Sequence, residues 1–184
     1  MIRIDSKTND FEGLPEMAYN CVGYLMRNDD IIWRILSNPE PDCLDPNKYP
    51  NLTLEEKARL IYRGGDNIND YRVFLDLGQD DAWAQEVCIL RVSPLAVMPD
   101  TYVHGKVVMG FQVYTHNKAN HLSNYTTRTD TVIQRLISVL NGAEINSIGR
   151  IHFDRRASSL CKVITIGRIP FLGKQLTMTN IQLS

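Results

Sequence analysis

Lys106-Val107-Val108-Met109-Gly110-Phe111-Gln112-Val113-Tyr114-Thr115-His116 is the stretch that decides the fold. Val107, Met109, Phe111 and Val113 alternate with Val108, Gly110, Gln112 and Tyr114, a period of two that gives a strand one uniformly apolar face. Downstream, Thr115 to Thr127 is polar and reads as a loop. A helix follows through Asp130 to Leu140, capped by Thr126, Thr127 or Thr129 and stopped at Asn141-Gly142. Val132, Ile133, Leu136, Ile137, Val139 and Leu140 make that helix strongly amphipathic, so it should pack on the sheet. Three more strands are expected near 145–153, 160–168 and 174–183.

Upstream, strand signals stand at Arg72–Asp76 and Gln85–Val92, with a turn at Gly78-Gln79-Asp80-Asp81. Thr53-Leu54-Glu55-Glu56 has capping-box spacing and opens a surface helix expected to end at Gly64-Gly65. Residues 38–51 carry Pro39, Pro41, Pro46 and Pro50 and form a long loop, of the kind that tends to be functional or exposed. From Pro15 to Ser37 the periodicity is helical, with Met17, Ala18, Cys21, Val22, Leu25 and Met26 on one stripe. Asn28-Asp29-Asp30 interrupts it and supplies cap residues for a second short helix. The fold class that follows is α+β: a mostly antiparallel sheet with helices packed on one face, plus an N-terminal helical segment. At 184 residues we expect a single domain over 1–184, with the proline-rich loop and extra helix at about 38–65 as its elaboration.

Composition excludes several classes. Hydrophobic residues are 43% and charged residues 22%, which is neither disordered nor collagenous usage. No apolar run reaches the ~18 residues that cross a bilayer, so no membrane partner is expected. Met1-Ile2-Arg3-Ile4-Asp5-Ser6-Lys7 lacks an apolar core, so export through a signal peptide is not expected. Cys21, Cys43, Cys88 and Cys161 contain no C-x-x-C pair and read as reduced, partly buried thiols.

Charge is split along the chain. Residues 1–100 hold 18 Asp/Glu and 10 Lys/Arg, net −8; residues 101–184 hold 3 and 10, net +7. Opposite surfaces on one subunit suit a head-to-tail ring, and a basic half suits phosphate in a DNA-lined channel. Interleaved halves would instead neutralise each other locally.

Motifs of chemistry are sparse. Walker, dinucleotide and nucleophile-elbow sequences are missing. His104, His116, His121 and His152 have no metal-ligand spacing, so no metal and no cofactor is expected. Asp76, Asp80 and Asp81, with histidines and a divalent metal, are the acids a nuclease would use, although solvated turn acids are the simpler reading. Arg155 and Arg156 would project from a hairpin tip, where they meet phosphate or a neighbour's carboxylates. With Arg150 and Lys162 they form a candidate DNA-binding set.

The stretch Lys106–Phe153, joining strand, polar loop and the helix Arg128–Gly142, with an N-terminal helix leading into a sheet, resembles the head–tail joining and tail-terminator (neck) proteins of tailed bacteriophages. Met17-Ala18-Tyr19-Asn20 with Arg27-Asn28-Asp29-Asp30, and His116-Asn117-Lys118 with Leu122 to Arg128, are similar to phrases in such proteins. The likeness covers residues 15–37 and 85–184; residues 38–84 go beyond the compact family plan. It implies a non-enzymatic virion protein of the neck or tail, assembled in the host cytoplasm. Its partners would be its own copies in a homo-oligomeric ring (hexamer or dodecamer), portal or connector and tail-tube proteins, and genomic double-stranded DNA through transient phosphate contact. Arg150, Arg155, Arg156, Lys162, Asp80 and Asp81 are then candidate subunit-interface or lumen charges. The competing expectation is a metal-dependent nuclease or nucleic-acid-binding factor.

Overall fold

The computed structural model describes residues 14–64, 67–76, 87–99, 105–145, 148–153, 162–165 and 171–181. The alternating stretch forms β3 (Gly105–His116), paired antiparallel on one side with β2 (Cys88–Pro99) and on the other with β7 (Phe171–Ile181). Beyond β7 lie β5 (Gly149–His152), then β4 (Glu144–Ile145); β6 (Lys162–Thr165) also pairs with β7. β1 (Val73–Phe74) flanks β2 in parallel. The fold is α+β with a mostly antiparallel sheet, as the alternation predicts.

Helices are α1 (Leu14–Asn28), α2 (Ile31–Ser37), α3 (Leu54–Arg59) and α4 (Arg128–Leu140). The odd-numbered row Val107, Met109, Phe111 and Val113 is buried in one core with Leu25 of α1, Trp33 of α2 and Leu136 of α4. At one end of the sheet's second face, Phe74, Ile89 and Tyr114 form a smaller cluster beneath Tyr62, Ile68 and Tyr71. Elsewhere on that face Val108 and Leu95 stand among Gln112, Gln175, Thr177 and Thr179. Gln112 stands opposite Gln175, and Gly110 opposite Thr177.

Several boundaries differ from the sequence expectation, each for a physical reason. α3 stops at Arg59, short of the glycines, because Ile61 already bridges to Val73 and Tyr62 N–H donates to Val73 O at 2.8 Å. β1 is only two residues long. β2 runs on past Val92 through Pro94, which the sequence reading left outside the strand. Proline is tolerated there because β2 pairs with β1 only at Leu90 and Arg91, so Pro94 needs no hydrogen for an outer neighbour. A bulge at Leu95 shifts the register, and Leu95 lies over Gly110, where an added Cβ would come within 2.7 Å of its side chain. The expected strand near 145–153 is two short ones, β4 and β5. Thr127 is the cap of α4, its hydroxyl accepting from Asp130 N–H at 3.2 Å, and Gly142 follows the helix at φ +84°.

Candidate interaction surface

The break between α1 and α2 is tied to both α3 and α4. Asp30 occupies the cap position of α2, yet its side chain makes no cap bond. Asp29 does that work: one carboxylate oxygen accepts from Ile32 N–H at 2.6 Å. The other accepts from Arg135 of α4, Nε at 2.7 Å and Nη2 at 2.6 Å. Lys57, on the otherwise exposed α3, is buried with its ammonium on Met26 O (2.8 Å), Asp29 O (3.0 Å) and Asp30 Oδ1 (2.6 Å). Carbonyls left over at the end of α1 thus find donors in a lysine some thirty residues away. The Thr53–Glu56 capping box forms as its spacing predicts, and the Thr53 amide holds the Glu56 carboxyl below its usual range.

The proline loop is held by a residue from the far half of the chain. Arg128, the first residue of α4, is fully buried. Its guanidinium donates to Ile35 O (3.1 Å), Asn38 O (2.8 Å), Pro39 O (2.6 Å) and Glu40 O, and its Nε to Ala119 O. Cys43 Sγ accepts as well, at 3.2 Å. A cation in the first turn of a helix opposes that helix's dipole. Here it is compensated by the carbonyl-rich end of α2 and the start of the loop, where partial negative charge collects. Arg34 adds a bond from Nη1 to Leu44 O at 2.9 Å.

The second loop, between β3 and α4, is organised from within. Asn120 O accepts from Arg128 N–H at 2.8 Å, and its side chain accepts from Thr129 N–H at 3.3 Å. Leu122 N–H donates to Thr126 O at 2.9 Å, and Asn124 Oδ1 accepts from the Thr126 hydroxyl at 2.6 Å. Tyr125 sits at the tip with φ +64° and a fully exposed side chain. The two loops touch: Ser123 N–H donates to Pro41 O at 2.9 Å. Between the proline loop and the start of β2 lies a cleft of about 410 Å³, reached by Arg72 and Lys118. Burial lowers the Arg72 pKa.

Candidate charges from the sequence fall in different places. Arg150 is exposed on β5, opposite Glu144, and Lys162 takes the register position opposite Gln175 on β6. Asp80, Asp81, Arg155 and Arg156 lie outside the described residues, as do His104 and Cys161. Asp76, the third nuclease acid, is instead ion-paired with buried Arg91, whose guanidinium stacks 5.0 Å from the Phe74 ring centre. Among the described residues no group of three or more His, Cys, Asp or Glu is arranged to hold a metal. Cys21, Cys43 and Cys88 are free and buried, and burial pushes the Cys21 thiol up to about 12 and Cys88 to about 11. Such thiols are poor nucleophiles at neutral pH.

Sequence reasoning missed Arg128, Lys57 and Asp29 as organising residues. Only Asp29 carried a local signal, its place in the Asn-Asp-Asp break.

The YomW family model matches residues 29–179. The chain belongs to the YomW family. That membership supports a phage-related protein, the coarser part of the resemblance seen in the sequence. The matched span takes in the proline loop and α3, the segment that the neck-protein likeness left uncovered, and omits α1 altogether. No curated protein and no solved structure matches the chain.

Proposed function

We propose that the chain is a structural virion neck protein of a tailed bacteriophage, forming a ring that terminates the tail or joins it to the head connector. The observation that carries this reading is the braced loop pair. Loops of this length are where an enzyme gathers its reactive groups. Here their polar side chains bond to backbone: Arg128 to the proline loop, Asn124 and Asn120 to their own turn. The product is a preformed surface, which lowers the ordering cost of docking to another protein.

The amide- and hydroxyl-bearing rows of the sheet's second face fit the same role. Lys106 and Arg150 stand in those rows among Gln112, Gln175, Thr177 and Thr179. Scattered cations among amides and hydroxyls suit passing phosphate contact better than a tight duplex grip. In the assembled particle this face would be the one turned toward DNA, with portal or connector and tail-tube proteins above and below the ring.

Electron microscopy and analytical ultracentrifugation of the purified protein, alone and with portal-complex or tail-tube proteins, test the reading. A closed ring is expected. A strict monomer at high concentration, with no affinity for those proteins, overturns it. Metal-dependent nuclease activity that disappears on Asp80→Ala or Asp81→Ala would establish the competing enzyme instead.

A further inference from the structure

We propose that Tyr125 is the anchor by which one copy of this chain grips the next, its ring entering the groove between the proline loop and α3 of a second copy. This rests on the ring reading and names the contact that would build it.

The first argument is strain without internal return. Among the described residues Tyr125 is the only non-glycine with positive φ, at +64°. The left-handed region is unfavourable for an L-residue with a Cβ, and glycine would occupy it freely. A large side chain is kept there all the same, and it is fully exposed, so within its own chain it packs on nothing. Backbone strain kept at an exposed aromatic marks a functional position.

The second argument is presentation. Tyr125 N–H donates to Leu122 O at 3.1 Å, Leu122 is buried, and Ser123 ties the turn to Pro41. The ring is therefore held out on a fixed turn, and tyrosine loses little side-chain entropy when it docks.

The third argument is the receiving surface. A groove of about 370 Å³ is lined by Tyr49, Pro50, Leu52 and Leu60, with Asn38 and Glu56 at its polar edge. Its walls are apolar enough to cover an aromatic ring, and its edge offers acceptors for the phenol hydrogen. Charge favours the match. From Thr115 to Thr127 there is no carboxylate, while Lys118 and His121 are exposed. The two segments that form the groove, the proline loop and α3, carry Glu40, Asp42, Asp45, Glu55 and Glu56 against Lys48, Lys57 and Arg59. Used head to tail, each contact leaves one knob and one groove unused, and the chain of contacts extends until it closes on itself.

The test compares wild type with Tyr125→Gly, Tyr125→Phe and Leu52→Asp by sedimentation velocity, with thermal melting as the check on folding. Wild type should form rings. Tyr125→Gly should weaken assembly at least ~30-fold, the effect of losing an interface anchor, while melting no lower than wild type because the strain is gone. Tyr125→Phe should retain most of the assembly. Leu52→Asp keeps the knob and spoils the groove, so mixing it with Tyr125→Gly should give dimers of one copy each and no rings. If wild type and Tyr125→Gly assemble alike, the anchor is wrong and the ring reading stands. If wild type stays monomeric, the ring reading falls and takes the anchor with it.

Discussion

The proline loop and the loop that carries Tyr125 lie side by side, and they are ordered in opposite ways. The first is fixed from outside. Arg128 and Arg34 donate into its carbonyls, and its own side chains contribute mainly the exposed Asp42–Lys48 ion pair. The second is fixed mainly from inside, by asparagine and threonine bonds spanning two to nine residues, with the Arg128 side chain reaching only its first turn at Ala119 O. A loop stapled by a distant cation fails all at once when the cation is removed. A loop stitched by its own side chains fails one stitch at a time.

The largest effect should come from Arg128→Met. The substitution takes this donor from the buried carbonyls of Ile35 and Ala119 and from those of Asn38, Pro39 and Glu40 beside the cleft, at about 3–5 kcal/mol in chemical denaturation. Hydrogen exchange should rise most across residues 38–44 and less across 121–127; equal loosening of both loops would break the contrast. Next is Asp29→Ala, which leaves Ile32 N–H and Arg135 without their acceptor and should cost about 2–3 kcal/mol. Its effect on exchange should centre on the α1–α2 junction, since the proline loop keeps its own staple.

Thr53→Ala removes the cap where the proline loop runs into α3, at about 1 kcal/mol. Asn124→Ala cuts one stitch in the second loop and should cost roughly 0.5–1 kcal/mol. Proteolysis there should be faster, while the proline loop stays protected.

The smallest effect is electrostatic. Hydrogen bonds from Lys174 and then Thr127 hold the exposed Asp130 carboxyl below the usual carboxylate range. The unfolded chain therefore binds that proton more tightly, so stability rises with pH through the acid range and is lost as pH falls through the folded value. Asp130→Asn should flatten the dependence of melting temperature on pH between about pH 2 and 5, leaving it nearly unchanged near neutrality.

What the sequence made legible follows the same divide between local and distant. The alternation in β3, the Thr53–Glu56 box, a threonine cap on α4 (Thr127 among the three candidates) and the apolar stripe of that helix are patterns within a few residues, and all four stand in the structure. β2 extends beyond the sequence expectation because Pro94, which looks like a terminator, lies where no outer neighbour pairs among the described residues. Arg128 gave no sign, since a lone arginine at a helix start looks like surface charge, and its acceptors come from about ninety residues earlier. Lys57 misled for the same reason, as one more charge on a helix with few apolar residues. The division of charge between the two halves of the sequence is partly undone in space: Arg128 sits inside the acidic loop, and Arg135 meets Asp29.

The outer margin of β2 has one more consequence. With Pro94 lacking a hydrogen, Leu95 thrown out of register and Pro99 closing the strand, that border is useless as a template for another backbone. Copies crowded together at high local concentration are therefore discouraged from zipping into an endless ribbon along it, and side-chain shape is left to choose who neighbours whom.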